Sequence, residues 1–250
     1  MRKKIVKNFM LPKIFYQLAK IFRLLPKTIR VQYHQMDAIF FVPINNHYIC
    51  SDLSEIKQNR REPEMYRWLN DLKSGSVLFD IGTSYGQEAA LASSMINKGI
   101  QVVGFDCGLS HSHFCALNKS LNHDRFRFVF AAVSDTSGSI IKIRSNSDTH
   151  IPRLHKKNVP YEYEVMTLAL DDFSATNSIY PSHLKIDVDG AELSVLKGAS
   201  KILSSTELKE VFVEVDNQNA DVIPFMLGYD FKIKWQVDKE QNSDILFSRL

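Results

Sequence analysis

The chain has 250 residues, 44% of them hydrophobic, so it can bury one substantial core without disulfides or a structural metal. Its three cysteines, Cys50, Cys107 and Cys115, are odd in number and scattered. This usage argues against a disulfide framework and favours a reducing compartment, which we expect to be the cytoplasm. One domain with an N-terminal extension is the expected organisation.

Charge divides the chain into a basic segment and an acidic body. Residues 1–30 contain nine Lys or Arg and no acid, so the formal net charge of +3 leaves −6 for the other residues. The apolar run 9–25 is interrupted by Lys13, Lys20 and Arg23, which predicts that it does not span a membrane, and no signal cleavage site follows it. Two interpretations stay open: an amphipathic helix docked on the core, or peripheral contact with an anionic membrane through 1–30.

The elements before the main domain are predicted from local composition. Residues 38–51 are rich in Phe, Val, Ile and Tyr around an Asn45-Asn46 pair, which predicts a hairpin with its turn at the asparagines. Residues 61–72 predict a helix with Pro63 in its first turn. We therefore assign 1–60 to the extension and 61–250 to the domain.

Strands and helices then alternate, which predicts a doubly wound α/β domain with a mostly parallel sheet. The predicted strands are 77–81, 101–105, 127–133, 184–188 and 210–215, and the helices are 87–96, 111–121 and 191–203. Two more strands, 229–235 and 244–248, predict an antiparallel edge. The alternation breaks at 139–170, which predicts an inserted hairpin or lid around a polar stretch, 145–158.

A glycine-bearing turn follows the first strand of the alternation, in the segment VLFDIGTSYGQEA at 77–89. Gly82 and Gly86 would let the backbone approach a ligand closely at the carboxyl end of a strand. Asp106 ends the next strand, about 20 residues downstream, where an acid can accept both hydroxyls of a ribose. The two motifs together predict a nucleoside ligand, which either NAD or S-adenosylmethionine would satisfy.

A second motif makes the prediction more specific. The segment LKIDVDGAELSVLKGA, residues 184–199, resembles a motif of FkbM-type methyltransferases. The segments REPEMYRWL, DIGTSYG, AAVSDTSG, LALDDF and VFVEVD also resemble that family and occur in its order. The resemblance runs from Glu62 to the C-terminus and does not cover the basic segment.

The resemblance implies a Rossmann-like methyltransferase fold whose seven-stranded, mostly parallel sheet has an antiparallel last strand. It also implies S-adenosylmethionine as donor and an oxygen acceptor. By position in the motifs, the residues implied to hold the donor are Asp80, Gly82, Ser84 and Gly86 for its methionine part, Asp106 for the ribose, and Cys107, Ser134 and Asp135 near the adenine. Cys107 departs from the proline that the family usually has there.

Three acids are candidates for the chemistry on the acceptor side. A hydroxyl acceptor benefits from a general base, and Asp187 and Glu214 end the fourth and fifth strands of the alternation, beside the predicted donor. Glu192 is a third candidate, although a carboxylate there can instead cap or brace the helix that opens near Gly190. We predict Asp187 as the principal base or acceptor anchor.

Metal and nucleic acid are both disfavoured. Cys107, His111 and Cys115 share a helix face, but three ligands spread over two turns seldom reach one tetrahedral ion. Asp187 and Glu214 could bind a hard divalent ion, yet no third ligand is evident. The acidic body carries no nucleic-acid reader motif, so we predict no metal and no nucleic-acid partner.

The sequence therefore predicts an O-methyltransferase acting on a hydroxyl of a carbohydrate or small molecule. Two alternatives remain open. One is a catalytically silent donor-binding module tethered by the basic segment, and the other is a nicotinamide-dependent oxidoreductase that uses the same nucleoside cleft. The motif at 184–199 and the antiparallel final strands disfavour the oxidoreductase.

Overall fold

The computed structural model describes residues 27–42, 47–145, 161–216 and 219–249. The predictions for residues 1–26, for the Asn45-Asn46 pair and for nearly all of the 145–158 stretch lie outside these ranges. No helix in the described ranges is both long and apolar enough to cross a bilayer.

The described residues form strands and helices that alternate along most of the chain. The strands are β1 (Lys27–Tyr33), β2 (Met36–Val42), β3 (Val77–Ile81), β4 (Gln101–Asp106), β5 (Arg127–Phe130), β6 (Ala132–Val133), β7 (Ile140–Ser145), β8 (Tyr161–Leu168), β9 (His183–Ile186), β10 (Glu210–Asp216), β11 (Lys232–Asp238) and β12 (Asn242–Ser248). The helices are α1 (His47–Lys57), α2 (Pro63–Asn70), α3 (Gln87–Ser93), α4 (Leu109–Leu121), α5 (Leu170–Asn177), α6 (Glu192–Lys197), α7 (Ser200–Ser204) and α8 (Val222–Leu227).

Seven strands form the central sheet, in the order β11-β12-β10-β9-β3-β4-β5. Strands β10, β9, β3, β4 and β5 pair in parallel, whereas β12 runs antiparallel to both of its neighbours. The predicted doubly wound fold, with a seven-stranded sheet and an antiparallel last strand, is confirmed. The order reverses between β3 and β9, and this switch point is where doubly wound sheets place their ligands.

Both faces of the sheet are covered, because neighbouring residues of its central strands pack into opposite cores. Leu78 and Val102 belong to one apolar cluster, and Phe79 and Val103 belong to the other. The first cluster also contains residues of β1, β2 and α1, so the described part of the predicted extension shares a core with the domain.

The predicted hairpin at 38–51 is misplaced. The observed hairpin pairs β1 with β2 and turns at His34 and Gln35, and the predicted second strand is instead the start of α1. Within α1, Ile49, Leu53 and Ile56 are fully buried at a helical spacing. The apolar residues after the asparagines therefore follow the period of a helix.

The two strands of the insert, β7 and β8, are antiparallel and join β6, which precedes the insert, in a small sheet of the order β6-β8-β7. The predicted strand 127–133 is divided, since β5 joins the central sheet and β6 joins the small one. The predicted helix 191–203 is likewise divided into α6 and α7 at Gly198, where a Cβ would lie 2.0 Å from the carbonyl oxygen of Ser134. The small sheet begins beside the end of β4, since the amide of Ala131 donates to the carbonyl of Asp106 at 3.0 Å.

Candidate active site

The turn after β3 is built around a close approach of two backbones. Gly82 has φ 81°, and a Cβ there would lie 1.7 Å from the carbonyl oxygen of Asp187. The amides of Gly82 and Thr83 donate to the carbonyl of Phe105 at 2.9 and 3.0 Å. The turn therefore lies between the ends of β9 and β4, as its glycine predicts.

Asp106 is fixed by two backbone amides at the end of β4. One carboxylate oxygen accepts from the amide of Ser84 at 2.8 Å, and the other accepts from the amide of Gly108 at 2.6 Å. Burial raises the pKa of Asp106 to about 6, although both hydrogen bonds favour the ionised form. Asp106 as a whole residue is only partly buried, so part of its surface is open to a ligand.

A buried ion network lies beneath this turn. Asp80 and Lys185 face each other across β3 and β9, with Lys185 Nζ 3.3 Å from an Asp80 oxygen, 3.9 Å from Glu88 and 3.5 Å from Asp187. Burial opposes the charge of Lys185, but these three carboxylates outweigh it and hold its pKa well above the ordinary value. Asp80 also accepts from the Thr83 hydroxyl at 2.6 Å. The network therefore supports the turn through the hydrogen bond between Thr83 and Asp80.

Sequence reasoning missed Lys185, Glu88 and Tyr66. A lysine inside a motif gives no sign of burial, yet Lys185 is only 1% exposed. The signal was available in the register, because a lysine directly opposite Asp80 on a neighbouring parallel strand is placed to pair with it.

Tyr66→Phe should lower the free energy of unfolding by about 1.5–3 kcal/mol, the usual effect of removing a hydrogen bond to a charged group. The Tyr66 hydroxyl donates to fully buried Glu88 at 2.5 Å. Urea unfolding at pH 8 would measure the change, since burial raises the pKa of Glu88 to about 7. Tyr33→Phe is the control because it removes a phenolic oxygen from a neighbouring ring 5.7 Å away without touching Glu88. Equal losses in the free energy of unfolding for the two substitutions would show that the hydrogen bond from Tyr66 to Glu88 does not stabilise the fold.

The acceptor-side acids lie beside the turn. Asp187 directly follows β9, and its side chain is 25% exposed. Glu214, on the adjacent strand β10, accepts from Lys239 Nζ at 2.8 Å and from the Asn242 amide at 2.6 Å. Burial, followed by the negative charge of Asp187, raises the pKa of Glu214 to about 8. Asp187 and Glu214 therefore lie side by side, since each directly follows one residue of the pair Ile186 and Val213 on adjacent parallel strands.

Lys239 is the centre of an acidic cluster that sequence reasoning did not find. Its Nζ lies 3.0 Å from Glu62, 2.8 Å from Glu214 and 2.7 Å from Asp244. Oxygens of these three acids lie within 4.8 Å of one another, a spacing that could hold a metal ion. The lysine ammonium lies among these oxygens and offsets one of the three negative charges.

Glu192 is buried at the start of α6 and held by two hydrogen bonds. It is 1% exposed, accepts from the Gly190 amide at 2.7 Å and also accepts from the Asn219 side chain. Burial raises its pKa. These contacts match the bracing alternative considered for Glu192.

The three residues assigned to the adenine side are placed differently from one another. Cys107 directly follows Asp106 and packs against the small sheet, and its carbonyl accepts from the Tyr163 hydroxyl at 2.8 Å. The Ser134 hydroxyl lies 3.1 Å from that of Ser194 on α6, and Asp135 hydrogen-bonds to Ser134 at 3.2 Å. Cys107 therefore adjoins Asp106, whereas Ser134 and Asp135 lie beside the helix after β9.

Cys107, His111 and Cys115 do not share a helix face as predicted, because α4 begins at Leu109 and Cys107 precedes it. Cys115 is buried against Gly86, where a Cβ would lie 2.9 Å from its sulfur, and Cys107 packs on the small sheet. His111 instead faces Ser84, 3.1 Å from its hydroxyl oxygen. Burial raises the pKa of Cys107 to about 12, which opposes the thiolate that a metal requires.

A groove of about 840 Å³ lies at the opposite end of the central sheet, where the parallel strands begin. Its lining includes Trp68, Ser76, His183 and Lys209. Ligands of doubly wound sheets bind at the carboxyl ends of the strands instead. We therefore place the candidate site at the turn and the strand-end acids.

The fold and this site define a Rossmann-like methyltransferase. A model of the methyltransferase FkbM domain matches residues 80–233, which is more than half of the chain. The chain belongs to the FkbM methyltransferase family, and S-adenosylmethionine is its cofactor. A search of curated proteins found no match.

Solved structures with a similar fold are distant in sequence. Fibrillarin from Aeropyrum pernix, in complex with S-adenosyl-L-methionine, is 12% identical with a TM-score of 0.49, covering 90% of this chain and 86% of its own. Precorrin-6y C5,15-methyltransferase from Geobacter metallireducens is 10% identical with a TM-score of 0.48, covering 77% and 88%. The tRNA (uracil-54, C5)-methyltransferase from Pyrococcus abyssi, in complex with S-adenosyl-L-homocysteine, is 12% identical with a TM-score of 0.48, covering 89% and 44%.

The residues at the turn fit this cofactor. Asp106 is held in place by two amides yet remains partly accessible, which suits a ligand with neighbouring hydroxyl groups. Two left-handed glycines, Gly82 and Gly86, flank the turn and keep side chains away from its backbone.

Proposed function

We propose that the chain is an O-methyltransferase acting on a hydroxyl of a carbohydrate or other small molecule. The observation that carries the proposal is the pair of carboxylates, Asp187 and Glu214, beside a turn that fits the methyl donor. A neutral hydroxyl is a weak nucleophile, and a carboxylate within reach strengthens it by accepting its proton.

The surroundings of these acids suit a ligand rich in hydroxyl groups. Glu62, Glu214 and Asp244 provide acceptors, and Lys239 and Asn242 provide donors, all within one partly exposed cluster. A sugar presents both donors and acceptors, which such an alternating set can satisfy. The charge of the cluster disfavours an anionic acceptor such as a nucleic-acid backbone.

S-adenosylmethionine supplies an electrophilic methyl group on a sulfonium when it is bound. The residues of the chain then have three tasks. The turn and Asp106 orient the donor, Asp187 holds or deprotonates the acceptor hydroxyl, and Glu214 with Lys239 fixes the acceptor on its far side. Orientation is the largest contribution that a protein can make to such an in-line displacement.

The first experiment is calorimetric titration with S-adenosylhomocysteine, beside NAD as a control, followed by an acceptor screen that begins with sugars. We expect micromolar binding of S-adenosylhomocysteine and no binding of NAD, with transfer of a labelled methyl group from S-adenosylmethionine to a hydroxyl of the acceptor. Donor binding without transfer to any acceptor would favour the silent donor-binding module, and transfer to nitrogen or carbon would contradict the oxygen acceptor.

Asp187→Asn should lower kcat by about 10²–10⁴-fold, the usual contribution of a general base. Donor affinity should stay within about threefold, since the substitution keeps the backbone carbonyl that approaches Gly82, and Asp80 and Glu88 still hold Lys185. Single-turnover transfer to the acceptor found in the screen measures the first quantity, and calorimetry measures the second. The control is Asp172→Asn, which makes the same change at an exposed acid of α5. Asp172 accepts a hydrogen bond from the Ser137 hydroxyl at 2.7 Å. An unchanged kcat would remove Asp187 from the chemistry.

We also propose that the basic segment 1–30 contacts an anionic membrane surface at the periphery. Its charge supports this, as does the fact that β1 begins only at Lys27 and carries just two of the nine basic residues. The full chain should sediment with vesicles containing phosphatidylserine, and a chain that starts at Lys27 should not, with equal donor affinity. Indifference of the full chain to these vesicles would refute membrane contact.

A further inference from the structure

A buried imidazole lies directly against the donor turn. His111, in the first turn of α4, is 2% exposed, and its Nδ1 lies 3.1 Å from the Ser84 hydroxyl oxygen. Its other nitrogen, Nε2, is buried and has no hydrogen-bond partner among the described residues. Sequence reasoning weighed His111 only as a metal ligand, and the mechanism above gives it no task.

The ring is held in one position by its neighbours. The Tyr48 ring, from α1, stacks on it with centroids 6.1 Å apart and planes inclined by 12°. Ser84 is held equally firmly, since it has φ 52° and its amide donates to Asp106. The hydrogen bond between His111 and Ser84 therefore joins two fixed groups, and Tyr48 lies outside the family-matched range.

The burial of His111 sets its protonation state, and the unpartnered Nε2 sets its tautomer. Burial lowers the pKa of His111, so the imidazole is neutral and carries a single N–H. A proton on Nε2 would leave a buried N–H without an acceptor, which proteins rarely tolerate. A proton on Nδ1 leaves only a lone pair unpartnered and lets the ring donate to Ser84. We assign the proton to Nδ1.

This tautomer fixes the direction of the Ser84 hydroxyl. Because its oxygen accepts from His111, its own hydrogen must point away from the ring. We propose that His111 is a positioning residue that makes Ser84 a hydrogen-bond donor toward the amino-acid carboxylate of the methyl donor. The inference rests on the assignment of this turn to the donor. A hydrogen bond to a carboxylate is roughly twice as strong as a neutral one, so the direction of the hydroxyl matters for affinity.

Two ligands separate this role from simple packing. S-adenosylhomocysteine carries the amino-acid carboxylate, and methylthioadenosine is the same nucleoside without it. His111→Phe keeps the ring and its stacking but removes the donor, so it should weaken the first ligand about 10-fold, equivalent to about 1.4 kcal/mol, and leave the second unchanged. Calorimetry with both ligands on each variant gives the ratio of the two affinities.

Further variants test whether Nδ1 is the nitrogen that donates and whether His111 acts through Ser84. His111→Asn places an amide donor near the position of Nδ1 and should keep most of the wild-type ratio, whereas His111→Gln places it near Nε2 and should behave like Phe. Ser84→Ala should show the same selective loss as His111→Phe, and combining the two should add nothing further. Thermal unfolding of every variant shows whether it is folded. If the Phe variant does not fold, the difference between the Asn and Gln variants carries the test.

The outcomes are distinct. Equal weakening of both ligands by His111→Phe would mean that the ring only packs the turn, and unchanged binding of both would mean that it has no role toward the ligand. Additive effects of His111→Phe and Ser84→Ala would overturn the pathway through Ser84. Failure of the wild-type protein to bind either ligand would instead overturn the donor assignment itself, together with the proposed function.

Discussion

Gly82→Ala should abolish donor binding and lower the free energy of unfolding by more than about 4 kcal/mol, a size that only severe core disruption reaches. The added Cβ would lie 1.7 Å from the carbonyl oxygen of Asp187 and 2.8 Å from its carbonyl carbon. A left-handed φ adds a further cost of about 1–2 kcal/mol for any residue with a side chain. Since both partners are backbone at the ends of parallel strands, neither can yield without disturbing the sheet.

Gly75→Ala is a matched control for this substitution. Gly75 has φ 77°, close to the 81° of Gly82, but a Cβ there would meet nothing within 4 Å. It should therefore cost only the conformational part, about 1–2 kcal/mol. Urea unfolding of both variants, with titration of S-adenosylhomocysteine, isolates the clash. Similar stability of the two variants would show that the turn does not pack against the end of β9.

Asp106→Asn should weaken S-adenosylhomocysteine by about 100-fold or more. A hydrogen bond to a charged group contributes about 1.5–3 kcal/mol, and a ribose offers two hydroxyls to this carboxylate. The asparagine keeps the shape of the side chain but loses the charge and one acceptor. Asp124→Asn, on the surface beside Lys119, is the control and should change affinity by less than about twofold. Unchanged affinity of the Asp106 variant would remove the ribose assignment.

The same residue predicts a pH dependence of donor binding. Because burial raises the pKa of Asp106 to about 6, its carboxylate is protonated in more acidic solution and no longer accepts two hydrogen bonds. Wild-type affinity should therefore fall as the pH decreases below about 6, and the Asn variant should lack this change. The contribution of Asp106 to folding stability has the opposite sense. It is fully present below a pH of about 4, the ordinary pKa of an aspartate, and is lost as the pH rises through about 6.

Periodicity predicted the central sheet because buried parallel strands are short apolar runs that local sequence reveals. The strands from β3 to β5 and from β9 to β10 each match a predicted run within three residues at either end. The hairpin prediction failed for a local reason. An Asn-Asn pair is a strong turn signal, and it outweighed the spacing of Ile49, Leu53 and Ile56, which is helical.

The site was predictable where a motif fixes a backbone, and less so where charges meet across the sheet. Gly82 and Asp106 were identified because their roles depend on the turn and on the strand end. Lys185, Glu88 and Lys239 were missed because their partners come from other elements and only the strand register brings them together. His111 was noticed for its spacing along α4, but its contact with Ser84 depends on the turn after another strand.

The contact between Gly82 and the carbonyl of Asp187 links the two halves of the reaction. One backbone belongs to the turn that we propose as the donor site, and the other carries the acid that we propose for the acceptor side. A shift of either is therefore transmitted to its neighbour, so occupancy of one side should alter the affinity of the other. Thermodynamic reciprocity requires the two ligands to change each other's dissociation constants by the same factor. Donor and acceptor should accordingly bind cooperatively, each changing the affinity of the other.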